Sequence, residues 1–141
     1  MNLMEMVLAL FAVVFFSTVA MMYNRATMNQ TDLLINANQY VQASHLSHSI
    51  LDEVDAKLFS RQLAFAAVKP NYNTTRTLDL AHTGGRYILV INTVECDSLG
   101  TPVSVVPINN IYLRVRVSTS TSGLRTPVVM QRVYTKTHLN I

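Results

Sequence analysis

Few side chains in this sequence have types and spacing suited to chemistry. His45, His48 and Asp52 stand at i, i+3 and i+7, a spacing that would bring three ligands to one helix face within reach of a single metal ion. A solvated polar helix face accounts for the same residues more simply. Asp52, Glu53 and Asp55 share the acidity of a calcium loop but lack its turn glycine and its remaining oxygen ligands. Cys96 is the only cysteine, which excludes an intrachain disulfide and a cysteine-rich metal site; its expected role is that of a small buried apolar residue. The Ser, Thr and His residues form no nucleophile motif, and there is no Gly-rich phosphate loop. No metal, no cofactor and no enzymatic activity are expected. Arg114, Arg116, Arg132 and Lys136, interleaved with Tyr112 and Tyr134, would make one basic aromatic surface if the last two strands pair. Such a surface suits a phosphate backbone. A solvated strand face, or a contact for a neighbour's acidic helix, is the commoner use, and nucleic acid stands behind both.

These residues need elements to hold them. From Met6 to Tyr23 the run MVLALFAVVFFSTVAMMY carries no charge and is long enough to cross most of a bilayer core, since ~20 residues at ~1.5 Å each span ~30 Å. A polar stretch follows, and apolar positions then return at helical spacing: Leu34, Ala37, Val41, Leu46, Ile50, Val54 and Leu58. With no Gly or Pro before Pro70, a single helix is predicted from near Asn2 to about Leu58. Pro70 to Thr75 reads as a turn-rich connector, and Thr83-Gly84-Gly85 as a break before a strand over Arg86–Glu95. Ile111 to Ser118 alternates with a period of two, and Val128 to Lys136 follows Gly123 and Pro127 as its partner strand. Val103 to Val106 is a candidate short edge strand. The fold class expected is α+β: a long N-terminal helix with an apolar first half, then a small antiparallel sheet. Residues 1–25 form a transmembrane or filament-core half, 26–60 an amphipathic half packing on the head, and 61–141 the head.

Three explanations compete for the apolar segment. A secretory signal needs positive charge ahead of its core, and Met-Asn-Leu-Met has none, although Thr18-Val-Ala20 fits a small-residue cleavage site. A plain anchor should obey the positive-inside bias, yet the nearest basic residue, Arg25, lies after the run. That conflict disappears if a short basic leader preceded Met1, which would make residue 1 a processed terminus. Glu5 weighs most. A carboxylate carried toward a bilayer centre costs ~2.5–3.5 kcal/mol, so it needs a partner or a shallow position. The local alternative is that it complements the helix dipole in the first turn.

The opening Met1-Asn2-Leu3-Met4-Glu5-Met6-Val7-Leu8-Ala9-Leu10 resembles the mature N-terminus of bacterial type IV pilins and type II secretion pseudopilins. The shared features are a hydrophobic first residue, Glu at position five and an uninterrupted apolar helix; they cover the first ~25 residues, about one membrane span, and the rest of the chain agrees with the family in layout only. The resemblance implies a structural subunit of an extracellular filament, a homo-oligomer drawn from an inner-membrane pool. It implies processing by a prepilin peptidase, N-methylation of Met1, and assembly by an ATPase and an inner-membrane platform protein. It makes the Met1 amine and Glu5 the assembly pair, with Leu8, Phe11, Val14, Phe15 and Val19 in the filament core. Met1 stands where Phe is common and Met22 where many members carry Pro, so a more continuous helix is expected here. The alternatives are a monomeric bitopic protein with a periplasmic binding head, or a DNA-binding minor pilin.

Composition fits these readings. A chain of 141 residues, half hydrophobic and 13% charged, is one modest domain without disorder or collagen-like repeats. Charge is uneven. Residues 1–60 hold Arg25 and Lys57 against Glu5, Asp32, Asp52, Glu53 and Asp55, while residues 61–141 hold nine Lys/Arg against Asp79, Glu95 and Asp97. An acidic rod with a basic head suits copies whose heads pack on neighbouring rods.

Overall fold

The structure is a computed structural model and describes residues 2–80, 85–103 and 112–136. Met1, the Thr83-Gly84 break, Ile111 and the expected edge strand beyond Val103 lie outside the described residues. The architecture is α+β. A long helix α1, Leu3–Phe59, is followed by a short helix α2, Phe65–Tyr72, and four strands: β1, Thr74–Leu80; β2, Gly85–Glu95; β3, Tyr112–Ser120; and β4, Val128–Thr135. The strands form one antiparallel meander in the order β1-β2-β3-β4. The chain forms two units, Met1–Ala37 and Asn38–Ile141.

The first unit is the N-terminal part of α1. Leu, Met and Ala are strong helix formers, and no breaker interrupts them, so the helix passes through Met22 without a gap. Nearly every described side chain here is exposed. The second unit holds the core. Ala43, Ser47, Ile50, Leu51, Val54 and Leu58 are the buried face of α1. They pack with Phe65, Val68 and Tyr72 of α2 and with Tyr87, Leu89, Ile91, Leu113, Val115, Val117, Val128 and Tyr134 of the sheet.

The stripe predicted for α1 is correct at Ile50, Val54 and Leu58, but Leu34 and Val41 are 71% and 52% exposed. The reason is phase and place: Ala43, Ser47, Ile50, Val54 and Leu58 follow one another at steps of three and four, Val41 falls off that face, and Leu34 belongs to the first unit. Ser47, the polar member of the buried face, satisfies its hydroxyl there. Ser47 Oγ lies 2.9 Å from the Ala43 carbonyl and 2.7 Å from Thr119 Oγ1. Ser47 has one proton and gives it to Ala43, so Thr119 donates to Ser47.

The connector prediction for Pro70 to Thr75 is corrected. Phe65, Val68 and Tyr72 recur at i, i+3 and i+7 and are all buried, which outweighs the one backbone bond that Pro70 removes from a helix of two turns. Asn71 Nδ2 supports the last turn by donating to the Ala67 carbonyl at 2.8 Å. Asn73 then ends α2, and β1 begins directly, paired to β2 from Thr74↔Ile91 to Leu80↔Gly85. This strand escapes an apolar-pattern search because it is a mostly exposed edge strand held by threonine's β preference.

Between α1 and α2 the chain turns at Arg61, whose φ of 58° is left-handed, and the Leu63 N–H donates to the Lys57 carbonyl at 3.1 Å. After β2, Asp97 Oδ1 accepts from the Leu99 and Thr101 N–H groups at 3.0 and 2.8 Å. Gly100 adopts φ 82° within that turn, a conformation that suits glycine.

The Ser47–Thr119 contact yields a measurable expectation. Ser47→Ala should destabilise the full chain by about 1–3 kcal/mol, because the buried Thr119 hydroxyl loses its acceptor. Removing both hydroxyls in Ser47→Ala/Thr119→Val should recover most of that loss. Denaturant unfolding in detergent, run as a double-mutant cycle, checks both.

Candidate functional site

The first turn of α1 places Glu5. Asn2 is the N-terminal cap: its carbonyl accepts from the Glu5 N–H at 2.8 Å and the Met6 N–H at 3.3 Å. Glu5 answers by accepting the Asn2 N–H on Oε2 at 3.2 Å. This is the backbone half of a capping box, in which the third helical residue reaches back to the cap. Glu5 therefore has a local partner as well as a favourable place against the helix dipole. Met1, the other half of the expected assembly pair, lies outside the described residues.

Beyond that turn the helix exposes apolar side chains on all sides. Leu8, Phe11, Val14, Phe15 and Val19, the residues expected in a filament core, are all exposed, from 47% at Val19 to 70% at Phe11. Three threonine hydroxyls along the helix are satisfied within it: Thr18, Thr27 and Thr31 donate to the carbonyls of Val14, Tyr23 and Thr27 at 2.7–3.0 Å. Back-bonding of this kind lets a polar residue enter an apolar environment without an unpaired donor. By length and composition α1 can cross a membrane.

The expected basic aromatic surface does not form. β3 and β4 do pair, but the register puts Arg132 opposite Val115 and Tyr134 opposite Leu113, on the face turned to α1. Arg114 and Arg116 stand opposite Val133 and Gln131 on the other face, with Tyr112 opposite Thr135. Strand side chains alternate between faces, so the two arginines of β3 and the one of β4 separate. Arg132 pairs with Asp52 at 3.2 Å and with Asp55. Arg114 Nη1 donates to the Gly100 carbonyl at 2.9 Å. Arg116 and Lys136 are exposed.

No protein-family model matches the chain, and no curated protein or solved structure is similar to it.

The acidic segment of α1 divides its duties. Asp52 and Asp55 hold Arg132, while Glu53 accepts from Lys57 Nζ at 2.6 Å, Tyr72 OH at 2.9 Å and Arg76 Nη1 at 3.0 Å. Lys57 and Arg76 also lie 5.5 and 5.4 Å from the Tyr72 ring centre, so one aromatic ring serves two cations. The three acids of this segment thus find their bases on the same chain, and two of them draw Arg132 and the third Arg76 from the sheet. His45 and His48 are exposed. Among the described residues no three metal-ligating groups converge. Sequence reasoning singled out the acidic residues but missed their partners, because Arg76 lies on a strand it did not assign and the face of Arg132 depends on register. The imbalance of charge between the two halves was the available signal.

Burial raises the Tyr134 hydroxyl well above its usual range, with Asp55 adding to it, and Tyr134 OH donates to the Leu51 carbonyl at 3.2 Å. Glu53 moves the other way. Desolvation, its largest single influence, would raise it, but the bonds from Lys57, Arg76 and Tyr72 together hold it down at about 2, against an ordinary value of 4.5. A depressed carboxylate stabilises the fold fully above its unfolded pKa. The contribution is therefore present above pH 4.5 and lost as pH falls through about 2. Partial exposure to solvent limits it to about 1 kcal/mol. Glu53→Gln should lower stability at pH 7 and flatten this acid-side decline; unfolding curves of both proteins between pH 6 and 2 measure it.

Proposed function

We propose that this chain is a non-enzymatic structural subunit of a type IV pilus-like filament. In this reading it is held in an inner membrane by the apolar part of α1, then assembled through that part into an extracellular polymer. The observation that carries the reading is the contrast along α1. The helix buries one stripe from Ala43 to Leu58 but exposes Leu, Phe, Val and Met on every side from Leu3 to Met22. A helix hydrophobic all round has to be buried by lipid or by other helices. Glu5 at the head of that segment adds a charge whose pairing would penalise wrong registers among packed copies.

Exchanging lipid for helix contacts gains little per unit area, because lipid tails are already apolar. Extraction would therefore be driven by an assembly ATPase acting with a platform protein, and a prepilin peptidase would prepare the Met1 amine. With Arg114 and Arg132 engaged inside the head, a nucleic-acid surface has lost half of its expected cations. The filament reading is correspondingly stronger than that of a DNA-binding minor pilin.

The capping geometry favours a second reading, a monomeric bitopic protein with a binding head. Glu5 already has a partner in the Asn2 N–H, so a plain anchor explains it without a neighbour. Two substitutions separate the readings. Glutamine preserves a capping box but carries no charge. Under the filament reading Glu5→Gln and Glu5→Ala both abolish filaments while the head stays folded by circular dichroism. Filaments of normal length and number from Glu5→Gln would reduce Glu5 to a helix cap. Intact mass and N-terminal fragmentation of the native protein complete the test: a methylated Met1 amine supports the filament reading, and a formylated initiator favours the anchor.

A further inference from the structure

Glu53 has more cations than its charge requires. Its carboxylate accepts from Tyr72 OH at 2.9 Å, and Lys57 Nζ at 2.6 Å and Arg76 Nη1 at 3.0 Å both close on it. One carboxylate against two cations leaves a local charge of +1. This excess does not stand on an open surface. Lys57 and Arg76, with side chains 42% and 35% exposed, line a cleft of about 350 Å³ together with Gln62, Leu63, Asn71 and Tyr72. No Asp or Glu is among those lining residues. A cation drawn partly out of water without a full counter-charge is unfavourable, so the cleft is poised to take a negative group.

Local structure builds each wall. The end of α1 supplies Lys57, and the left-handed turn at Arg61 brings Gln62 and Leu63 back beside it, fastened by the Leu63 N–H on the Lys57 carbonyl at 3.1 Å. The last turn of α2 supplies Asn71 and Tyr72. Asn71 Nδ2 is engaged by the Ala67 carbonyl, which leaves Oδ1 as an acceptor. β1 supplies Arg76. The Tyr72 ring, 5.5 and 5.4 Å from Lys57 and Arg76, holds both cations in place before any ligand arrives. Among the described residues only Nη1 of Arg76 has a partner, so the planar fork keeps N–H groups for the two oxygens of one ligand group. Lys57 likewise keeps two of its three protons. We infer that this cleft binds a small organic monocarboxylate, its carboxylate held between Arg76 and Lys57 and its hydroxyl or amide substituents met by Gln62 and Asn71. Charge selects the class: a monoanion brings the site to neutrality, whereas phosphate, at about −1.5 to −2 near pH 7, overshoots and meets Glu53. Size agrees, since small-molecule sites span roughly 300–1,000 Å³ and this one lies at the lower end. The cleft lies wholly within the second unit, so the inference stands whether or not copies polymerise.

The full chain in detergent micelles, labelled with ¹⁵N at arginine, reports on the site through the Arg76 Nε–H resonance, assigned by its loss in Arg76→Lys. Sodium glycerate, a monocarboxylate with two hydroxyls, should move that resonance saturably, with half-effect on the order of millimolar. Sodium chloride at matched ionic strength should leave it in place, and inorganic phosphate should bind at least about threefold more weakly than glycerate. Glu53→Gln raises the local charge to +2 and should tighten glycerate at least about threefold while bringing phosphate level with it. Gln62→Ala removes an exposed side chain outside the ion pairs and should weaken glycerate about threefold with the unfolding midpoint unchanged. Four outcomes overturn the inference: no saturable shift with glycerate, an equal shift with chloride, phosphate binding more tightly than glycerate to the unaltered chain, or unchanged glycerate affinity in Glu53→Gln. Each would reduce the cluster to an ion-pair network that holds α2 and β1 against α1.

Discussion

The approach of α1 to the sheet at Ala43 and Ser47 is the contact on which the head depends. Both side chains are buried, and the hydroxyl relay from Thr119 through Ser47 to the Ala43 carbonyl removes the penalty of placing polar groups there. From that point the helix runs along the inner face of the sheet, burying Leu51, Val54 and Leu58. The flanks are then set by charge. Glu53 gathers Lys57, Tyr72 and Arg76 on one side, and Asp52 and Asp55 hold Arg132 on the other. The close contact fixes the distance between layers, and the ion pairs fix the rotation of the helix about its own axis.

Much of this arrangement was legible in the residues. The helix and its continuity follow from composition and from the absence of breakers before Pro70. β2, β3 and β4 follow from alternation and turn residues. The rest was hidden for physical reasons. α2 contains a proline, and only the burial of Phe65, Val68 and Tyr72 overrides it. β1 is an exposed edge strand with no apolar alternation to reveal it. The separation of Arg132 from Arg114 and Arg116 depends on cross-strand register, and a shift of one residue would have reversed it. Glu5 was found by type and position, but its bond to the Asn2 N–H is a matter of helix-terminal geometry that the residue type alone leaves open.

The two units of the chain meet different physical demands. Among the described residues, the second unit buries an apolar core between helix and sheet and pairs five of its six carboxylates with cations. Met1–Ala37 satisfies its backbone and its threonine hydroxyls but leaves its apolar side chains uncovered. A helix apolar on every side is one that a bilayer can cover, and by length and composition this one is able to cross it.

The meander also bears on how the head forms. Every strand pairs with its neighbour in the chain, so the sheet is assembled from contacts of modest sequence separation. Docking of α1 is different: Ser47 meets Thr119 and Leu51 meets Tyr134 across 72 and 83 residues. Closing those long loops is the slow kind of step. A sheet paired before that step would present Leu89, Ile91, Val115 and Val117 to solvent. The same helix that closes the core would then also be what keeps that layer from meeting another chain.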